Sequence, residues 1–243
     1  MFDLSNPEFT LDYNDYLPID SIQNRTSTYN KSADYYEELL VRALIERAQL
    51  RDSSVTLQDF SKIRPHIENI LSWLRTTDFY SSPASTKYHE SYKGGLLYHT
   101  LQAYNQLLSL RSVQKFQYVV DHQWWSAVLA ILVHDWCKIG RYESYMKNVK
   151  DEATGNWEQV LVYKIKEDGV TRFGHGTQSL IMIMQLCNSS LTSLTFEEMA
   201  AIRWHMDSWD IGHYDEGDLA KCNEKIPMVR MIQFADQLAI TTY

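Results

Sequence analysis

Ala130–Arg141 reads AILVHDWCKIGR, placing a histidine and a carboxylate, His134–Asp135, at the end of an apolar run. A buried carboxylate is costly unless a cation or a hydrogen-bond network faces it, so Asp135 needs a partner. Extended backwards, Trp124–Cys137 (WWSAVLAILVHDWC) is long for a strand and carries alanines. It predicts a buried helix that ends near Gly140, with Lys138 and Arg141 in a basic last turn. Lys138, four residues after His134, then shares a helix face with it. Cys137 points to roughly the opposite side of that helix from Asp135 and reads as a core thiol.

Outward from this stretch the pattern is helical on both sides. YYEELLVRALIERAQL (35–50) and Phe60–Arg75 carry apolar residues at helical spacing, with charges between them. His66, after Pro65, reads as an ordinary helix histidine. The loop ending at Gly94–Gly95 leads into a helix with the stripe Leu97, Leu101, Tyr104 and Leu108, beside which His99 sits. Phe173–Leu186 opens another apolar helix with His175 at or just before its start, where the helix N-terminus disfavours an imidazolium. Thr195-Phe-Glu-Glu198 is a capping box, and the helix it starts carries His205 near its end. Pro227 starts the last helix, in which Asp236 lies among Phe234, Ala235, Leu238 and Ala239. Residues 142–172 break the pattern with two strand-like runs around DEATGN, an inserted β-hairpin that suits a lid or an oligomer contact. Residues 1–35 are polar without a sustained period and read as an irregular N-terminal arm. The expected fold is all-α, a helical bundle over 36–243 interrupted by the hairpin at 142–172.

The chain of 243 residues can bury a substantial core, and 44% hydrophobic against 22% charged residues is ordinary for a globular protein. No apolar run approaches the roughly 20 residues that span a bilayer. The acidic N-terminal stretch is not a signal peptide by pattern. Three widely spaced cysteines without a CxxC suggest reduced thiols, hence a cytoplasmic setting. A net charge of −8 disfavours a broad nucleic-acid footprint. A polyanionic substrate would then need something other than bulk charge to attract it, and bound metal ions are the obvious candidate.

Taken in order, the polar residues set in apolar helices are His99, His134–Asp135, His175, His205 and Asp236. Singly, each is more often a satisfied core residue than a ligand. Together, four imidazoles and two carboxylates form a donor set for divalent ions such as iron, manganese, cobalt, nickel or zinc. Lys93, Arg141 and Arg172 flank these segments and read as solvated surface charges first and as phosphate contacts second; His89 and His213 lie near them without an assigned role, and His122, before Trp124, reads as a helix-start residue.

The order H…HD…H…H…D resembles the HD-domain metal-dependent phosphohydrolase superfamily. The resemblance rests on YKGGLLYHT (92–100), ILVHDWCKIG (131–140), FGHGTQS (173–179), AAIRWHM (200–206) and MIQFADQLA (231–239). The first is also similar to the opening seen in a 3′–5′ exoribonuclease subgroup. It covers roughly residues 90–243 and leaves the first ninety residues and the 142–172 insertion unexplained. It implies an HD-domain bundle in which His99, His134, Asp135 and Asp236 hold one ion. His175 and His205 would hold a second, with Asp135 bridging, and magnesium joins the candidate metals. Lys138 matches the motif lysine that contacts a phosphate or a developing negative charge. The implied activity is hydrolysis of a small phosphorylated substrate, a nucleotide or related phosphoester, through a metal-activated hydroxide. The alternatives are a di-iron oxygenase on the same ligand set, a 3′–5′ exoribonuclease, disfavoured by the acidic balance, and a non-catalytic nucleotide-binding module.

Overall fold

The structure, a computed structural model, describes residues 25–152, 155–167, 173–212 and 214–240. In chain order its longer elements are α1 (Arg25–Gln49), α2 (Arg64–Thr76), α3 (Gly95–Ser109), α4 (Gln117–His122) and α5 (Trp124–Val133). After α5 come β1 (Tyr142–Lys150), β2 (Trp157–Ile165), α6 (His175–Leu186), α7 (Phe196–Arg203), α8 (Glu216–Lys225) and α9 (Pro227–Ile240). The chain is mostly helical with one small two-stranded sheet, as the sequence pattern predicts.

A helix that is apolar all round has no face to give to water, and α5 is placed accordingly. Every residue from Ser126 to Val133 is buried. Helices α1, α3, α7 and α9 pack around it, so the turn that follows α5 emerges inside the bundle. Val128, Leu129, Ile131, Leu132 and Val133 are completely buried, and such side chains each contribute about 1.5–3 kcal/mol.

Helix α5 is shorter than its sequence suggests. It ends at Val133, His134–Asp135 form a turn, and Trp136–Lys138 make a tight 3-10 turn. The reason lies in the carbonyls that a longer helix would use. The Ile131 carbonyl accepts from the His134 ring at 2.7 Å, and the Leu132 carbonyl accepts from the Tyr36 hydroxyl at 2.8 Å. Trp136 Nε1 donates to the same Tyr36 oxygen at 3.0 Å. Side chains, one of them from α1, thus satisfy the helix end.

Two further expectations change. Residues 25–35 belong to α1, so the irregular arm does not extend to residue 35, and residues 1–24 lie outside the described part. The second helix starts at Arg64 rather than Phe60, with Pro65 in its first turn, where a missing N–H costs nothing.

The hairpin pairs antiparallel from Tyr142 opposite Ile165 to Lys150 opposite Trp157. Lys166 N donates to the Arg141 carbonyl at 3.0 Å and closes its base. Both strands are largely exposed, so the hairpin projects from the helices.

The loop before α3 is pressed onto the helix it feeds. Gly94 takes a left-handed φ of 85°, and a Cβ on Gly95 would overlap the Glu90 carbonyl. Gly95→Ala is therefore expected to lower stability by about 2–3 kcal/mol, as over-packing does, read as a lower urea midpoint at unchanged slope.

Candidate metal centre

His134 and His205 sit just past the ends of α5 and α7, and both are held in the same way. His134 Nδ1 donates to the Ile131 carbonyl at 2.7 Å, and His205 Nδ1 donates to the Ile202 carbonyl at 2.8 Å. A carbonyl can only accept, so each ring carries a hydrogen on Nδ1 and turns Nε2 away from its own helix end. The sequence pattern puts His205 inside its helix. In the structure α7 ends at Arg203, because the ring takes a carbonyl that the next turn would need.

The two Nε2 atoms face a buried carboxylate cluster. His134 Nε2 lies 3.3 Å from Asp135 Oδ2 and 3.4 Å from Asp236 Oδ1. His99 Nε2, from α3, lies 3.0 Å from Asp236 Oδ1 and 3.4 Å from Asp135 Oδ2. His205 Nε2 reaches the other oxygen of Asp135 at 3.7 Å. Lys138 Nζ, also buried, sits 2.6 Å from Asp135 Oδ2. That contact spans three residues because 134–138 is turn and 3-10 structure. Lys138 therefore faces Asp135, not the shared helix face with His134 that an unbroken helix would give.

His175 is the first residue of α6, and α6 is fixed from outside. The Asp210 carboxylate accepts from Gly176 N at 2.9 Å and from Arg203 Nη1 at 3.3 Å. Ser179 Oγ accepts from Cys137 N at 3.0 Å, tying the turn after Asp135 to the same helix. Arg141 Nη1 donates to His175 Nε2 at 3.1 Å, and His175 Nδ1 lies 3.5 Å from Cys137 Sγ.

The packed charges shift one another strongly. Burial alone would push the Asp135 carboxyl up, but Lys138 and His134 hold it well below the usual range. Asp236 is held down against burial in the same way by His134 and His99. Burial works against the charged form of His134, yet Asp135 and Asp236 outweigh it and raise the ring to about 10. His175 goes the other way: burial pushes it down to about 4 against Asp135, with Arg141 and Lys138 adding to the push. It is a neutral imidazole, the form that binds a metal.

The donor set also passes a test of fit. Among the described residues, His134 Nε2, His205 Nε2 and Asp135 Oδ1 are buried and have no hydrogen-bond partner, which is rarely tolerated inside a protein. Donors about 2.0–2.2 Å from a shared centre lie roughly 2.9–3.5 Å apart along a tetrahedral or octahedral edge. The spacings of 3.0–3.4 Å among His99, His134, Asp135 and Asp236 fall in that range. Among the described residues, His99–His134–Asp236, His134–Asp135–His205 and Asp135–Cys137–His175 each bring their donors within 4.8 Å of one another. All six residues singled out in the sequence come to one place, and Asp135 is common to two of these groups.

Two residues join them that spacing does not show. Cys137 is buried, as a core thiol is, but lies beside His175, because the helix that would turn it away from Asp135 has already ended. Glu90 lies 3.9 Å from His99 Nδ1 and adopts φ 42°, a strained value for a side-chain-bearing residue. A helix end or a left-handed loop residue re-aims a side chain without leaving a period to read. His89 stacks on His99 at 5.0 Å, and burial pushes it down to about 4. Lys93 is exposed, His122 stacks on Tyr118 at the end of α4, and His66 sits in the first turn of α2. Arg172 and His213 lie outside the described residues.

No family model, curated protein or solved structure matches the chain. The geometry of the centre therefore carries the functional argument.

Proposed function

We propose that this chain is a metal-dependent phosphohydrolase of the HD-domain type, acting on a small phosphorylated substrate such as a nucleotide or related phosphoester. The observation that carries this reading is the clustering of His134, Asp135 and His205, whose buried Nε2 and Oδ1 atoms have no hydrogen-bond partner among the described residues. His99, His134, Asp135 and Asp236 would hold one divalent ion, and Asp135, His175 and His205 a second. Such a pair supplies a nucleophile from water near neutral pH and neutralises charge on phosphate oxygens.

The chain's own residues have three tasks. The Ile131 and Ile202 carbonyls fix the tautomer and aim of two ligand rings, as outer-shell partners do in metal sites. Lys138 keeps Asp135 charged and brings a positive group next to the point where phosphate charge would develop. Approach is from the side where His89, Glu90, Arg141 and His175 keep some exposure, and Arg141 there offers a planar cation suited to phosphate. A helical fold and the ordered motifs support the HD-domain reading. No described helix is long and apolar enough to cross a membrane.

The test is metal analysis of the purified chain together with a panel of nucleotides and phosphodiesters. Bound divalent metal near two equivalents, with phosphate or nucleoside release, is the expected result. Obligatory iron with oxygen uptake and no phosphate release would move the assignment to oxygenase chemistry. No metal and no turnover would leave a binding module.

A further inference from the structure

We propose that Cys137 is a thiolate ligand in the half of the centre formed by Asp135 and His175. That half would then be a site for zinc, cobalt or ferrous iron, in preference to magnesium or manganese. The proposal rests on the metal-centre reading and adds to it a donor and a metal class.

Cys137 is 4% exposed, which by itself describes any core cysteine. Its surroundings are not those of a core thiol. Sγ lies 3.5 Å from His175 Nδ1, and a donor atom each from Cys137, Asp135 and His175 fall within 4.8 Å of one another. Asp135, itself 3% exposed, contributes a buried Oδ1 without a hydrogen-bond partner among the described residues. Burial and the Asp135 charge push the thiol up to about 12, against the Ser179 hydroxyl, Lys138 and Arg141, so the sulfur keeps its proton until a metal displaces it. Ser179, completely buried in α6, also accepts the Cys137 amide, so the sulfur and the His175 ring are carried by structures tied to each other. The other cysteines serve different places. Cys187 follows α6 near Arg47 and Arg51, and Cys222 lies in α8 near Trp204.

A thiolate is a soft donor, and sulfur with imidazole selects zinc, cobalt and iron over the harder magnesium and manganese. Binding converts the S–H bond to a sulfur–metal bond and releases the proton to solvent, with no change of oxidation state.

The experiment is a cobalt titration of the chelator-stripped full chain, under reducing anaerobic conditions, followed by absorption. The wild type should show visible bands of bound cobalt together with a near-ultraviolet thiolate-to-cobalt band. Cys187→Ser/Cys222→Ser, which leaves Cys137 as the single thiol, should keep both. Cys137→Ser should lose the ultraviolet band and keep the visible ones. Visible bands in the wild type without a thiolate band would overturn the assignment of Cys137 and leave the metal centre standing. Absence of any bound cobalt would overturn both. Should Cys137→Ser fail to fold, the single-thiol variant decides the matter.

Discussion

Asp135→Asn is expected to abolish metal retention and, with it, phosphoester hydrolysis. The substitution keeps the side chain's shape and removes its charge. Asp135 is the carboxylate that His99, His134, His205 and Lys138 all approach, at 3.4, 3.3, 3.7 and 2.6 Å. An asparagine offers one weakly donating oxygen where two ions would share two anionic ones. Changing an outer-shell partner typically weakens a metal site about 10–100-fold, so loss of the shared ligand should exceed 100-fold. The measurement is metal content after dialysis, with turnover of the best substrate from the panel. Lys138→Met separates the two roles: it should keep the metal and lose turnover, because the lysine holds no ion. A fully active Asp135→Asn protein without metal would end the metal-centre reading. The buried Lys138 also loses its counter-charge in Asp135→Asn, so circular dichroism must show that the fold persists.

Much of this centre is legible in the chain because its polar residues break apolar periodicity. Asp236 stands out among Phe234, Ala235, Leu238 and Ala239 and is buried in α9 beside His99. His134–Asp135 stands out at the end of an apolar run and lies at the middle of the cluster. The inserted hairpin and the start of α9 at Pro227 also follow from local signals. What the sequence hides is set by contacts between distant residues. The end of α5 depends on Tyr36, almost a hundred positions earlier, whose hydroxyl takes the Leu132 carbonyl. That early end re-aims Lys138 at Asp135 and brings Cys137 beside His175. Glu90 is positioned by a left-handed backbone that packs against a glycine. No spacing rule reports any of these.

The other large effect concerns the helix that aims His205, and it should appear in stability. Glu198→Ala is expected to destabilise the fold by about 3–5 kcal/mol, the range for breaking a buried ion pair by removing one partner. Glu198 closes the capping box at the start of α7, accepting from Thr195 N at 2.8 Å while its own amide donates to Thr195 Oγ1 at 3.3 Å. The capping glutamate has a second task that the motif does not disclose. Arg47, near the end of α1, grips it with Nε at 2.5 Å from Oε1 and Nη2 at 2.6 Å from Oε2. Both side chains are almost completely buried. Alanine removes the cap and leaves a guanidinium in the interior facing no charge, although Arg47 Nη2 keeps the Ser193 carbonyl at 3.0 Å. Against a net stability of about 5–15 kcal/mol, such a loss can halve what holds the domain together. Glu198→Gln keeps an acceptor for Thr195 N and should lose less than alanine. The discriminating variant is Arg47→Met/Glu198→Leu, where neither charge is left unpaired. If the penalty in Glu198→Ala comes from the stranded arginine, urea unfolding of the double variant will show a smaller loss than Glu198→Ala alone. If the capping bonds dominate instead, the double variant will be no more stable than the single one, and α7 depends on its cap and not on its tie to α1.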